Sequence, residues 1–364
     1  MKIDTSLFKS EEKVIFMLRD LYRQYGYSCF KMSKFEEYDL YSQNKEFLVS
    51  DRVITFTDTT GKLMALKPDV TLSIVKNTKD EGLQRLYYNE NVYRISESTN
   101  HYKEIMQAGL ECIGELDLYN LYEVVYLAAR SLQTISEDSV LNISHLGVLF
   151  GALEGLELGA SRKALFECIG EKNAHGVEKI CNECEIDEKR KELLVSLAKS
   201  YGEPKRVIDD LRSKTDAEAI LSALDEFETL CDMLKEKTDV RICADLSLVG
   251  DINYYNGIIF RGYINGIPSS VLTGGQYDSL MKKMGKKSRA IGFAVYLDLL
   301  QRLEKETEYD VDVLLLCDKG VRAERIAKEV KALTGEKKSV SVHTVLPEKL
   351  RYRELIRLSG EVDD

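Results

Sequence analysis

The chain has 364 residues, 44% hydrophobic and 31% charged, with a formal net charge of -10. That length predicts two or three folding units with a sizeable core, and the composition excludes a disordered chain. The acidic balance offers no electrostatic footprint for nucleic acid, which recruits Lys and Arg to displace its counterions.

The N-terminal run "MKIDTSLFKSEEKVIF" lacks the apolar stretch of a signal peptide. The longest apolar runs, such as "VDVLLLC", fall short of the roughly 20 residues a membrane helix needs. A cytoplasmic protein with no membrane contact is therefore expected, and its eight cysteines read as free thiols. Cys181 and Cys184 in "CNEC" have no second pair or suitably spaced histidine to complete a zinc site, so no metal and no cofactor is expected.

In chain order, the first expected element is a helix capped by Ser10, with Val14, Leu18, Leu21 and Tyr25 as its apolar stripe before Gly26. Strand candidates follow in "RVITFTD", "LMALKPD", "RLYYNENVYR" and "IMQAGLECIGEL", and their polar connections predict an antiparallel sheet. A helix is expected at 117 to 135, then a strand with a turn in "SVLNISHLGVLF". Residues 160 to 236 are charged and helix-periodic, reading as a helical insertion. Strands resume in "VRICADLSLVGDINYYNGIIFRGYI" and "SSVLTGGQYDSL", completing the sheet. After residue 308 come a strand, "DVDVLLLC", a helix at 321 to 333 and an alternating run, "SVSVHTVL". The fold class is thus α+β.

In "KEIMQAGLECIG" a period of two puts Met106, Ala108, Leu110 and Cys112 on one face and Gln107, Gly109 and Glu111 on the other. The first face reads as core; the second has an amide and a carboxylate flanking a glycine, suited to a concave floor for a cationic ligand or to a solvent-facing side. The same alternation points Tyr255 and Gly257 one way, Tyr254 and Asn256 the other. Gly274 and Gly275 in "LTGGQYD" mark a close approach or a sharp turn. In "ALKPDVTLSIVKN", Asp69 and Thr71 read equally as helix caps and as ligands for an ammonium group.

Together and in order, "ALKPDVT", "RLYYNENVYR" with "KEIMQAGLE", "INYYNGIIF", and "GGQYDSL" with "AIGFAVYLDLL" resemble the histidyl-tRNA synthetase family over roughly residues 1 to 307. The resemblance implies a class II synthetase core at 1-307, with the helical insertion inside it, and a short βαβ-like segment at 308-364, a remnant of the anticodon domain. It also implies a histidine pocket. Asp69, Thr71 and Gln107 would surround the α-amino group, Glu111 and Tyr255 would meet the imidazole, and Tyr254, Tyr277 and Arg94 would complete the site beside Gly109, Gly257, Gly274 and Gly275.

The nucleotide machinery departs from the synthetase pattern. Arg94 stands where the motif 2 arginine is expected, but two further arginine positions fall at Gly250 and Leu299, and the second arginine of the motif 2 loop is Lys103. Losing one transition-state donor typically costs about 100- to 1,000-fold. A kept ligand site without those cations is similar to the synthetase-derived regulatory subunits of ATP phosphoribosyltransferase. That likeness implies no catalysis by this chain, a short-form catalytic partner in a hetero-octamer, a homodimer of this chain, histidine as effector and no tRNA. Two alternatives stay open, a divergent histidine-tRNA ligase and a free-standing histidine sensor.

Overall fold

A computed structural model describes residues 9–48, 52–96, 99–235, 237–249, 254–303 and 308–360. The chain divides into two compact units, Met1–Leu303 and Glu304–Asp364. The expected cation-free position Gly250 lies outside the described residues.

The first unit is organised by a nine-stranded sheet. Its order is Ser28–Cys29, Gln84–Ile95, Tyr102–Gly114, Arg289–Tyr296, Leu272–Gln276, Ile258–Ile264, Ser139–His145, Arg241–Asp245 and Tyr201–Gly202. The neighbours pair antiparallel as expected, except Ser28–Cys29 with Gln84–Ile95 and Ser139–His145 with Arg241–Asp245, which are parallel. The second exception follows from the helical insertion, because parallel neighbours need a long crossover.

One face of this sheet is core. Ala108, Leu110 and Cys112 are fully buried and cluster with Phe260, Phe293 and Val295 under two helices, Ser10–Gln24 and Leu118–Ile135. The helices are joined by a hydrogen bond between the buried Tyr22 hydroxyl and Ser131 Oγ at 2.9 Å. Ser10 is the first helical residue rather than the cap; Lys9 holds the cap position, and its backbone N–H donates to Glu12 at 3.0 Å. The longer helix is capped as its sequence dictates, the Asp117 carboxylate accepting from Asn120 N at 2.9 Å.

The other face is built in rows of register partners. One row runs Leu86, Glu111, Gly292, Gly275, Ile259, and the next runs Tyr88, Gly109, Ala294, Thr273, Arg261. Small residues occupy the middle of both rows and large ones the rims, so the sheet is dished at its centre. Over the dish lies a second apolar cluster that includes Tyr41, Phe47, Val70, Leu72 and Ile74.

Several expected elements differ. "RVITFTD" and "LMALKPD" supply Thr55–Thr57 and Leu63–Leu66, which join Phe35–Glu37 in a separate three-stranded sheet. The strand in "SVLNISHLGVLF" stops at His145, whose Nδ1 accepts from Gly147 N at 3.0 Å, and the rest is the helix Leu146–Leu153. Two strands follow the insertion, Arg241–Asp245 and Ile258–Ile264, and neither includes the tyrosine pair, which leaves Tyr254 and Tyr255 in the turn before Ile258. The insertion holds five helices between Ser161 and Lys235, interrupted by the two-residue strand Tyr201–Gly202.

The second unit contains Val311–Cys317, the helix Ala323–Gly335, Val340–His343 and an unanticipated strand, Tyr352–Leu358. All its strand pairs are parallel, with Val311–Cys317 in the centre. The centre strand buries Val313, Leu314 and Leu315 completely.

Gly292 has no room for a side chain, since a Cβ there would collide with the Glu111 carboxylate. Gly292→Ala is expected to lower stability by about 1–3 kcal/mol through overpacking. Urea unfolding measures this, and an unchanged midpoint would show that the dish tolerates filling.

Candidate functional site

Between the dished sheet and its apolar cover lies a cavity of about 230 Å³. The eight side chains that the sequence nominated all line it. Asp69 and Thr71 come from the start of the helix Thr71–Asn77, while Arg94, Gln107 and Glu111 come from the long hairpin of Gln84–Ile95 and Tyr102–Gly114. Tyr254 and Tyr255 enter from the turn before Ile258, and Tyr277 from the junction of Leu272–Gln276 with the helix Asp278–Lys283. The expected opposition of the two tyrosines is not observed, because period-two alternation does not hold in a turn. Both face the cavity, with ring centroids 4.7 Å apart.

The glycines act differently from expectation. Of the four nominated, only Gly274 lines the cavity. A Cβ on Gly275 would lie 2.7 Å from the Tyr255 ring, one on Gly109 would meet the Tyr88 hydroxyl at 2.5 Å, and one on Gly257 would strike the Gln276 amide. They make room for neighbouring side chains rather than for a ligand. Gly292, which does so for Glu111, was not nominated. Its signal was its place on a strand of otherwise larger residues, "RAIGFAVY".

Glu111 is the centre of the site. It is 2% exposed, Thr71 donates to its Oε1 at 2.9 Å, and Tyr277 donates to its Oε2 at 2.7 Å. Burial pushes its carboxyl up from 4.5 to about 8, against the pull of those two hydrogen bonds and with a further push from Asp69. Asp69 is also raised by burial, although its Oδ1 accepts from Leu72 N at 2.9 Å and Arg94 opposes the shift. It therefore stabilises its helix start and faces the cavity at once. Gln107, the other polar residue of the nominated face, is 3% exposed, and its amide nitrogen has no partner among the described residues. A solvent-facing role for this strand side is therefore excluded.

Arg94 donates through Nε to the Pro68 carbonyl at 2.9 Å. Leu299 packs against the main core. The preceding Asp298 is raised by burial, with Lys103 and Arg94 close enough to oppose the shift. At this edge a carboxylate and an apolar side chain stand among the cations Arg94 and Lys103. Sequence reasoning missed Arg261, which also lines the cavity. Its signal was a single cation inside the apolar run "GIIFRGYI".

Because Glu111 holds its proton in the fold up to about pH 8 but loses it near 4.5 when unfolded, the folded state binds the extra proton between those values. Its contribution to stability is therefore complete below about pH 4.5 and is lost as pH rises toward 8. Relative to Glu111→Gln, the ligand-free protein should lose up to about 1.4 kcal/mol per pH unit in that window. Urea unfolding of both proteins at about pH 5 and about pH 8 reads it, and a pH-independent difference would contradict the burial.

The family model for histidyl-tRNA synthetase matches residues 4–300. A protein of Caldanaerobacter subterraneus named ATP phosphoribosyltransferase regulatory subunit is 32% identical over 301 residues, 79% of this chain and 78% of that one. A protein of the same name from Thermoanaerobacter is 28% identical across 93% of this chain and 91% of its own. Among solved structures, an ATP phosphoribosyltransferase regulatory subunit/histidyl-tRNA synthetase from Bacillus halodurans superposes with a TM-score of 0.77 at 21% identity, covering 99% of this chain and 100% of that one. The ATP phosphoribosyl transferase complex from Thermotoga maritima matches at 0.63 and 20% identity, covering 78% of this chain and 96% of that one. The class II synthetase fold expected from the sequence is thus the fold observed, and the chain belongs to the histidyl-tRNA synthetase-like family and, within it, to the ATP phosphoribosyltransferase regulatory subunits.

Proposed function

We propose that this chain is the non-catalytic regulatory subunit of ATP phosphoribosyltransferase, required for the first step of histidine biosynthesis, and that it binds free histidine in the cavity and reports occupancy to a short-form catalytic partner. The observation that carries the reading is the buried Glu111 carboxylate with Asp69 nearby in an amino-acid-sized cavity. Two acids raised by burial in one cavity favour a cationic, N–H-bearing ligand that would meet their charged forms. The α-ammonium of histidine would meet Asp69, Thr71 and Gln107, and its imidazole would lie between Glu111 and Tyr255, with Tyr254 and Tyr277 as walls. The names of the relatives supply the partner, and a hetero-octamer built on homodimers of this chain in the cytoplasm fits the reading.

Aminoacyl adenylation would place a pentavalent α-phosphate beside the motif 2 arginine. Stabilising it needs several converging cations. Here Leu299 is apolar and packed, and Asp298 adds negative charge next to Arg94. Activation of histidine by this chain is accordingly expected to be negligible. Regulation requires instead that histidine bind two states of the complex unequally, with the same coupling free energy acting in both directions.

Histidine at about 100 times its dissociation constant should stabilise the chain by roughly 2.7 kcal/mol. A thermal melt reads this as a rise of several degrees, which Glu111→Ala abolishes. The catalytic subunit should gain activity only with this chain present and lose it when histidine is added. Histidine-dependent exchange of pyrophosphate into ATP at synthetase-like rates would instead establish a ligase.

A further inference from the structure

We infer that Arg261 is the oxyanion subsite of the cavity and takes the α-carboxylate of the bound amino acid, an assignment that rests on the amino-acid reading of the site. Arg261 sits in the middle of the strand Ile258–Ile264, where Ile258, Ile259 and Phe260 are at most 2% exposed. Arg261 itself is half-buried, and a partly desolvated guanidinium favours a partner that compensates its charge. Among the described residues no hydrogen bond or ion pair engages its guanidinium. Its register partner on the flanking strand, Asn142, turns its amide to Asp245 at 3.4 Å, and Asp245 is held by Lys172 at 3.1 Å and by Ser247. That acid is therefore already neutralised by another cation.

The arginine that the sequence singled out is partly engaged. Arg94 donates to Pro68 and is flanked by the carboxylates of Asp69 and Asp298. Arg261 lines the cavity with no hydrogen bond or ion pair among the described residues.

Its position also suits a zwitterion. Arg261 and Glu111 stand on strands three apart in the sheet. At about 4.8 Å per strand their backbones are separated by about 14 Å. Between them the floor is Gly292, Ala294 and Thr273, and the side chains of Glu111 and Arg261 rise at opposite rims. An amino acid seated over these small residues can turn its carboxylate toward the long Arg261 side chain while its ammonium and imidazole face the Asp69 and Glu111 side. Thr273, the direct register partner of Arg261, has its hydroxyl 2.9 Å from that of Tyr296, giving neutral donors next to the guanidinium. The unpartnered amide nitrogen of Gln107 belongs to the register partner of Tyr296 and points to the same need for an acceptor. Arginine suits this task because its fork matches the two oxygens of a carboxylate.

The test compares histidine with histamine, which lacks the carboxylate, by calorimetric titration of the full-length chain. Wild type should bind histidine at least tenfold more tightly than histamine. Arg261→Gln should weaken histidine about tenfold or more and leave histamine within about twofold, so that the preference collapses. Arg261→Lys, which keeps the charge but loses the fork, should fall between. Thermal melts without ligand establish that each variant is folded, and if Arg261→Gln is not, Arg261→Lys decides by the same comparison. Histidine bound with its preference over histamine intact in the variants would overturn the assignment and leave the amino-acid reading standing. Binding of neither compound to wild type would overturn both.

Discussion

The structure of the site depends on one buried carboxyl group. Glu111 is tolerated there because Thr71 and Tyr277 each donate to one of its oxygens and because Gly292 leaves the space beneath it empty. The four residues come from four separate segments of the chain, so a single polar contact fixes how the helix Thr71–Asn77, the long hairpin and the strands Leu272–Gln276 and Arg289–Tyr296 meet. Buried polar groups are destabilising unless satisfied, and a satisfied one specifies its neighbours' positions closely. The same group that organises the cavity also sets its electrostatic character.

Much of this was legible in the sequence where a regular element had one face uniformly buried. Thirteen residues of unbroken strand at Tyr102–Gly114 preserve the period of two, so the spacing alone assigns Gln107 and Glu111 to one side. The tyrosine pair failed the same test because the chain there is a turn, in which neighbouring side chains can face the same way. The family likeness still placed both in the pocket, since motif order does not depend on alternation. Arg261 escaped notice because it follows the apolar run Ile258–Phe260, in which no polar residue alternates to mark the cavity face. The strand Tyr352–Leu358 was missed for the opposite reason: "YRELIRL" is largely exposed, and its charges hide its pairing. Gly109, Gly257 and Gly275 were found but misread, because a sequence shows that a side chain is missing without showing which neighbour fills the space.

The edge of the cavity near Asp298 shows how little must change for a synthetase-like core to suit a different use. The sheet, the hairpin and the floor of small residues are all compatible with holding an amino acid. Replacing a cation by a packed leucine next to an acid alters only the field felt by an incoming phosphate, and the electrostatic preorganisation of such sites is a large part of their catalytic power. On the proposed reading, ligand recognition and chemistry are separable on this fold, because they would draw on different rims of one dish.

The sheet order carries a consequence for how the molecule is made. The strand Tyr102–Gly114 finds its second neighbour only in Arg289–Tyr296, and the helical insertion lies between them in the chain. As the polypeptide leaves the ribosome, the hairpin emerges early, with one edge unpaired, while the insertion has the local contacts to fold by itself. Non-local strand pairing is slow, and an open edge invites association with other chains. The cavity must then be among the last features of the first unit to form, so a ligand-competent chain is one whose synthesis has passed residue 296 and whose most exposed edge has already been closed.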